Sequence, residues 1–175
     1  INLDPDYAEA YNNRGVAKSN LKDYQGAIDD YNKAIKIKPD YASAYNNRGL
    51  AILQLQDYKG AIRDYTKAIE NSFFSTYAYS NRGLAKVKLE DYKGAIRDYS
   101  EAIGLWDYNL DAYINRGYVK LKLEDYRGAV DDYTKAINLD PGLATIKPDY
   151  AEIYSNLGLA KVKLEDYKGA ISDYT

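Results

Sequence analysis

Histidine, cysteine and methionine are all missing from this 175-residue chain, and phenylalanine and tryptophan nearly so, with two and one copies. Without Cys there can be no disulfide, thiolate metal site or Cys nucleophile. Without His the commonest general base and metal ligand is gone as well. These two zeros argue against an enzyme, so no catalytic, cofactor-binding or metal-ligating residue is assigned and no cofactor is expected. An excess of either charge sign is also lacking, since 24 basic residues face 26 acidic ones for a net charge of −2. A nucleic-acid binder is normally basic, with its cations clustered, and this balance argues against one. No apolar run approaches the roughly 20 residues that cross a bilayer. The chain opens on Ile1 with no signal-peptide pattern behind it. It therefore reads as an excised or processed fragment, with no membrane partner and the cytoplasm as default compartment.

What is present is tyrosine, 21 copies in a chain that is 46% hydrophobic. Tyr is a core-filling ring with a polar tip, suited to packed helices that keep a wet edge. The order of these residues repeats. YNNRG at Tyr11 to Gly15 returns at Tyr45 to Gly49, as YSNRG from Tyr79 and as YINRG from Tyr113, each step being 34 residues. YSNLG follows from Tyr154, 41 residues on and so seven beyond the period. A second phrase, DY-x-GA-[IV]-x-DY, runs Asp23 to Tyr31, Asp57 to Tyr65, Asp91 to Tyr99, Asp125 to Tyr133 and Asp166 to Tyr174.

Each unit reads as two helices, about Ala8 to Leu21 and about Tyr24 to Lys36 in the first copy. Asp23 and its counterparts fit helix N-caps, and Pro39, Pro141 and Pro148 fit stop signals. On a helical wheel, Tyr11, Gly15, Arg14, Ala10, Ala17 and Leu21 share one side. Glu9, Asn12, Asn13, Val16, Ser19 and Asn20 share the other. In the second helix Ala27, Tyr31 and Ala34 form a stripe. Small residues at Gly15 and Ala27 let two axes approach closely, with Tyr11 and Tyr31 filling the space around them. A single hairpin cannot bury such faces, so neighbours must stack. Some of Arg14, Arg48, Arg82 and Arg116 should pair with Asp30, Asp64, Asp98, Asp132 or Asp173 across the hairpin, because an arginine on a packing face needs a partner.

This pattern resembles the tetratricopeptide repeat, whose W-x2-LG-x2-Y…A-x3-F…P is met here as Tyr11, Arg14, Gly15, Lys18, Ala27, Tyr31 and Pro39. Arg14 and its counterparts depart from the family's Leu, and Lys18, Lys86, Lys120 and Lys161 from its Tyr. The Tyr-rich wording is similar to bacterial, especially cyanobacterial, members. The resemblance implies an all-α, right-handed superhelical solenoid of antiparallel hairpins, with first helices lining a concave groove that takes a protein or peptide partner. Its expected layout is one solenoid over 1–175. Residues 1–7 are the tail of a preceding repeat, and the repeats run 8–41, 42–75, 76–109 and 110–143. An insertion follows at 144–150, expected as a bulged loop or short extra turn because Pro141-Gly142 opposes a longer helix, and then a truncated repeat at 151–175.

The groove side is polar in the first copy and turns apolar in the next three. The candidate peptide-binding residues are Asn47, Leu50, Leu53, Tyr77, Asn81, Leu84, Val87, Lys88, Ile114, Asn115, Tyr118, Leu121 and Lys122, with Leu159 and Val162 continuing the line. Exposed apolar stripes mark partner surfaces. The recurring amides Asn13, Asn47, Asn81, Asn115 and Asn156 suit either a peptide backbone or bonds within the stack. Some chaperone-binding relatives hold a C-terminal carboxylate with Lys and Arg around such an Asn. Here the matching positions are Asn12, Ser43, Asn46, Tyr77 and Asn81, so that clamp is not expected. Lys88, Lys122 and Lys163 make a mildly basic rim that suits an acidic or amphipathic peptide. Phe73, Phe74, Trp106 and Tyr108, in the loops, are expected to complete packing between repeats.

Neither end carries a polar cap, so head-to-tail self-association through open apolar ends is the competing reading. RNA binding by helical repeats is a remote third. Acidic pairs such as Glu90-Asp91, Glu124-Asp125 and Glu165-Asp166 could suggest glycoside hydrolysis. They recur at every turn, which fits capping and solvation; a catalytic site would be single.

Overall fold

The computed structural model describes residues 7–72, 75–140 and 151–174, and among these every regular element is an α-helix. Phe73, Phe74, the 144–150 insertion, Pro141, Pro148 and most of the expected tail at 1–7 lie outside the described residues. The chain divides into two compact units, Ile1–Glu90 and Asp91–Thr175. The first holds α1 (Ala8–Asn20), α2 (Tyr24–Ile37), α3 (Ala42–Gln54), α4 (Tyr58–Glu70) and α5 (Thr76–Lys88). The second holds α6 (Tyr92–Leu105), α7 (Leu110–Lys122), α8 (Tyr126–Leu139), α9 (Ala151–Lys163) and α10 (Tyr167–Asp173).

One aspartate organises each turn between paired helices. The Asp23 amide donates to the Lys18 carbonyl at 2.9 Å and the Lys22 amide to Ser19 at 2.9 Å, closing α1 in the six-to-one, five-to-two pattern of a helix C-terminus. The Asp23 carboxylate then accepts from the Gly26 amide at 3.0 Å and opens α2. Asp57, Asp125 and Asp166 repeat both bonds. The residue before each aspartate pays a conformational cost, since Lys22, Gln56, Glu124 and Glu165 sit at φ of 63°, 64°, 61° and 64°. Glycine in the DY-x-G phrase has a steric reason. A Cβ on Gly26 would overlap the Asp23 carboxylate that caps the helix.

Packing inside a hairpin is equally tight. Tyr31 and Tyr65 are buried, and a Cβ on Gly49 would lie 2.7 Å from Cε1 of Tyr65. Rings laid flat on a glycine let the two axes close up, which is why NRG and DY travel together. Between hairpins, Ala51 packs on Ala27 and Tyr31, and Ala85 on Ala61 and Tyr65. In the first unit α2 packs on α3 and α4 on α5, while α1 touches α3 and α3 touches α5. In the second unit α6 to α10 pack in sequence, and α7 also touches α9.

Three expectations need correction. Leu21 was placed on the packing side, yet it follows the last residue of α1 and is 81% exposed. Asn12, expected on the open polar face of the groove, is buried, because the next first helix lies over it. Trp106 and Tyr108, expected between repeats, are 46% and 69% exposed; the chain turns outward after Leu105, and only Asn109 of that loop is buried. Ala17 is exposed although Ala51, Ala85, Val119 and Ala160 at its position are buried, since no second helix among the described residues precedes α1.

Candidate functional site

Arg14, Arg48 and Arg116 form expected pairs with an aspartate across the hairpin, and these pairs hold the face on which the candidate site stands. Arg14 meets Asp30 with Nε at 2.7 Å and Nη2 at 2.5 Å, a two-pronged contact. Arg48 grips Asp64 at 2.7 and 2.6 Å, and Arg116 grips Asp132 at 2.9 and 2.6 Å. Lys18 adds a second cation on Asp30 at 2.8 Å, and Lys120 on Asp132 at 2.9 Å. Burial alone would raise the Asp30 pKa, but hydrogen bonds from Arg14 and Lys18 outweigh it and hold the carboxylate below its usual range. In the fifth copy Leu157 replaces the arginine and joins a buried cluster with Ala129, Tyr133, Ile153 and Ala160. Asp173 there is paired by Lys161 at 2.7 Å.

Arg48, Arg82 and Arg116 also reach backwards, which sequence reading missed. Arg48 Nη1 donates to Asn32 at 2.6 Å, Arg82 Nη1 to Thr66 Oγ1 at 3.0 Å and Arg116 Nη1 to Ser100 Oγ at 2.9 Å. All three span 16 residues into the preceding second helix. A recurring short acceptor at 32, 66 and 100 was the available signal. These guanidinium groups and that of Arg14 lie 5.3–5.6 Å from the rings of Tyr45, Tyr79, Tyr113 and Tyr11.

In the first unit the candidate residues lie on α3 and α5, the helices that α1 and each other touch. Asn47 and Asn81 are half-buried and bonded within the stack, donating from Nδ2 to Oδ1 of Asn12 and of Asn46, both at 3.1 Å. Leu50 and Leu53 are half-buried against the Ala61–Tyr65–Ala85 cluster. Leu84 and Val87 are half-buried, Lys88 is exposed, and Tyr77 is 70% exposed. A pocket of ≈ 290 Å³ opens between these helices, lined by Ser43, Asn46, Asn47, Ser75 and Tyr77 over the methyls of Ala42, Ala68 and Ala78, with Ser72. Among the described residues no Lys, Arg, Asp or Glu lines it.

In the second unit the candidate residues lie on α7, beside α9. Ile114 and Leu121 are half-buried against the Ile153–Leu157 cluster, so their positions combine packing with exposure. Asn115 and Tyr118 are half-buried, and Lys122 is exposed with Nζ 5.3 Å from the Tyr118 ring. Leu159, Val162 and Lys163 on α9 are exposed.

An all-α chain of antiparallel hairpins, each presenting a first helix with polar and apolar side chains left half-open, defines a helical repeat protein. The tetratricopeptide repeat family matches residues 8–41, 42–73, 76–105, 110–143 and 151–175. The chain belongs to that family. No curated protein matches. Among solved structures, the MamA protein is similar at 24% identity and a TM-score of 0.83, over 95% of this chain and 87% of the other. YrrB, described as a TPR protein with an unusual peptide-binding site, is 22% identical with a TM-score of 0.78, over 96% and 83%. PilF of Pseudomonas aeruginosa is 20% identical with a TM-score of 0.81, over 95% and 73%. Likeness at this identity shows the fold, and the family makes the chain a scaffold for protein–protein contact with protein or peptide partners.

Proposed function

We propose that the layer of first helices in each unit receives an extended or helical segment of another protein, and that the chain performs no chemistry of its own. One observation carries this reading. Leu50, Leu53, Leu84 and Val87 stay half-open on α3 and α5, and Tyr77 at the start of α5 is exposed, although four apolar side chains and a ring could have been closed off. Burying apolar area is the general driving force of association, at about 25 cal/mol per Å² before the costs of binding. In the second unit Tyr118, Leu121, Leu159 and Val162 supply the equivalent stripe, with Lys122 and Lys163 beside it. A segment with one apolar edge and one acidic edge fits both.

The test starts from peptides selected on the wild-type chain from a displayed random library. The Leu84→Glu/Tyr118→Glu/Leu121→Glu variant is expected to lose at least about tenfold in affinity, or about 1.4 kcal/mol, with unchanged helix content by circular dichroism. Undiminished binding by a folded triple variant removes the proposal.

A further inference from the structure

We infer that the pocket between α3 and α5 selects an uncharged carboxamide side chain, Gln or Asn, in the bound segment, and rejects a carboxylate. The inference rests on the function proposed above and assigns the chemistry of one subsite within it.

The argument begins with what the amide ladder leaves over. Asn46 accepts through Oδ1 from Asn81 at 3.1 Å, so it keeps both N–H groups of Nδ2 and one lone pair. Asn47 leans the other way. It donates one N–H of Nδ2 to Asn12 at 3.1 Å and keeps its second N–H and a carbonyl oxygen with two lone pairs. These neighbours on α3 both line the pocket, one richer in donors and the other in acceptors. Ser75 adds no donor, because its hydroxyl bonds to the Ser72 carbonyl at 2.8 Å.

Three ligand chemistries can be compared with that pair. A carboxylate satisfies the Asn46 N–H groups but has no hydrogen for the Asn47 oxygen, and no cation among the lining residues balances its charge. An ammonium fails in the mirror sense, meeting the Asn47 oxygen while facing the Asn46 donors with no anion nearby. A primary carboxamide carries an acceptor oxygen and a donor nitrogen on one planar group, so it satisfies both. The methyls of Ala42, Ala68 and Ala78 accommodate the CH₂ stem that such a side chain brings. At ≈ 290 Å³ the space lies at the small end of ligand sites and suits one side chain, with Tyr77 among its walls. A wholly apolar side chain would leave both amide remainders unpaired, at a loss of about tenfold or more in affinity.

The selected library peptides give the experiment. They are expected to share a Gln or Asn, and synthetic versions with Gln→Glu or Gln→Met are expected to bind at least about tenfold more weakly. Asn46→Asp keeps the oxygen that accepts from Asn81 but removes both free N–H groups, and it is expected to weaken the Gln peptide by a similar factor. Circular dichroism on this variant reports whether the helices persist. Selected peptides that share no Gln or Asn, or that need a free C-terminal carboxylate, overturn the inference, as does indifference to Gln→Glu. When the triple glutamate variant loses binding and the Gln→Glu and Asn46→Asp changes do not, this subsite assignment alone fails. When the triple variant binds normally, or the library yields no binder, the groove falls with it.

Discussion

At the scale of single residues, two buried contacts have opposite consequences when altered. Gly49 lies under the Tyr65 ring, and a Cβ there would stand 2.7 Å from Cε1 with a fully buried ring to displace. Gly49→Ala is expected to cost about 1–3 kcal/mol by urea denaturation, the usual penalty of overpacking. The Tyr65 hydroxyl is buried without a hydrogen-bond partner among the described residues. An unmade bond on a desolvated phenol is unfavourable by about 1–3 kcal/mol. Tyr65→Phe is therefore expected to leave stability unchanged or to raise it, against the general trend of core substitutions. A loss above about 1 kcal/mol on the same urea curves would show that the hydroxyl is satisfied.

At the scale of the helix, the guanidinium staple decides what a hairpin tolerates. Asp64 is nearly buried beneath Arg48, whose other nitrogen holds Asn32 on the preceding second helix. Asp64→Ala strands that cation against the seam and is expected to cost about 3 kcal/mol or more in chemical denaturation. Arg48→Leu combined with Asp64→Ala should recover a large part of the loss, because Leu157 in the fifth copy shows that an apolar residue fills the position. Much of this level was legible beforehand. The 34-residue step and the Asp caps placed the helix starts, and an arginine on an apolar face demanded its carboxylate. Burial of Asn12 was not legible, because a wheel drawn for one helix omits the neighbour stacked on it. The outward Trp106 and Tyr108 were misplaced for a related reason: aromatic character suggests burial, but loop direction is set by where the preceding helix ends. Of the candidate surface, the identity of the stripe was readable, while its half-buried state and the polarity left on Asn46 and Asn47 came only with the packing.

At the scale of the whole molecule, the tyrosines set an upper pH limit on the fold. Burial, with a smaller push from the Asp30 charge, raises the Tyr31 phenol to about 12. Burial likewise raises Tyr65, Tyr99 and Tyr133. In the unfolded chain a phenol ionises near pH 10, so above that value the unfolded state binds fewer protons than the folded one. Stability from these rings is thus complete below about pH 10 and is lost as pH rises toward about 12. Absorbance at the phenolate band should show exposed tyrosines titrating first and a second, cooperative group ionising together with loss of helical circular dichroism. Smooth titration of every tyrosine with the helices intact would contradict this.

The backward bond of Arg48, Arg82 and Arg116 has a consequence for how such chains lengthen. Its acceptors, Asn32, Thr66 and Ser100, are chemically interchangeable, so a duplicated hairpin inserted behind any of them finds its docking partner already in place. Gene-level copying of one module would then cost nothing in fit at the new junction. The copy bearing Leu157 lacks that guanidinium, which leaves it the least transferable of the set.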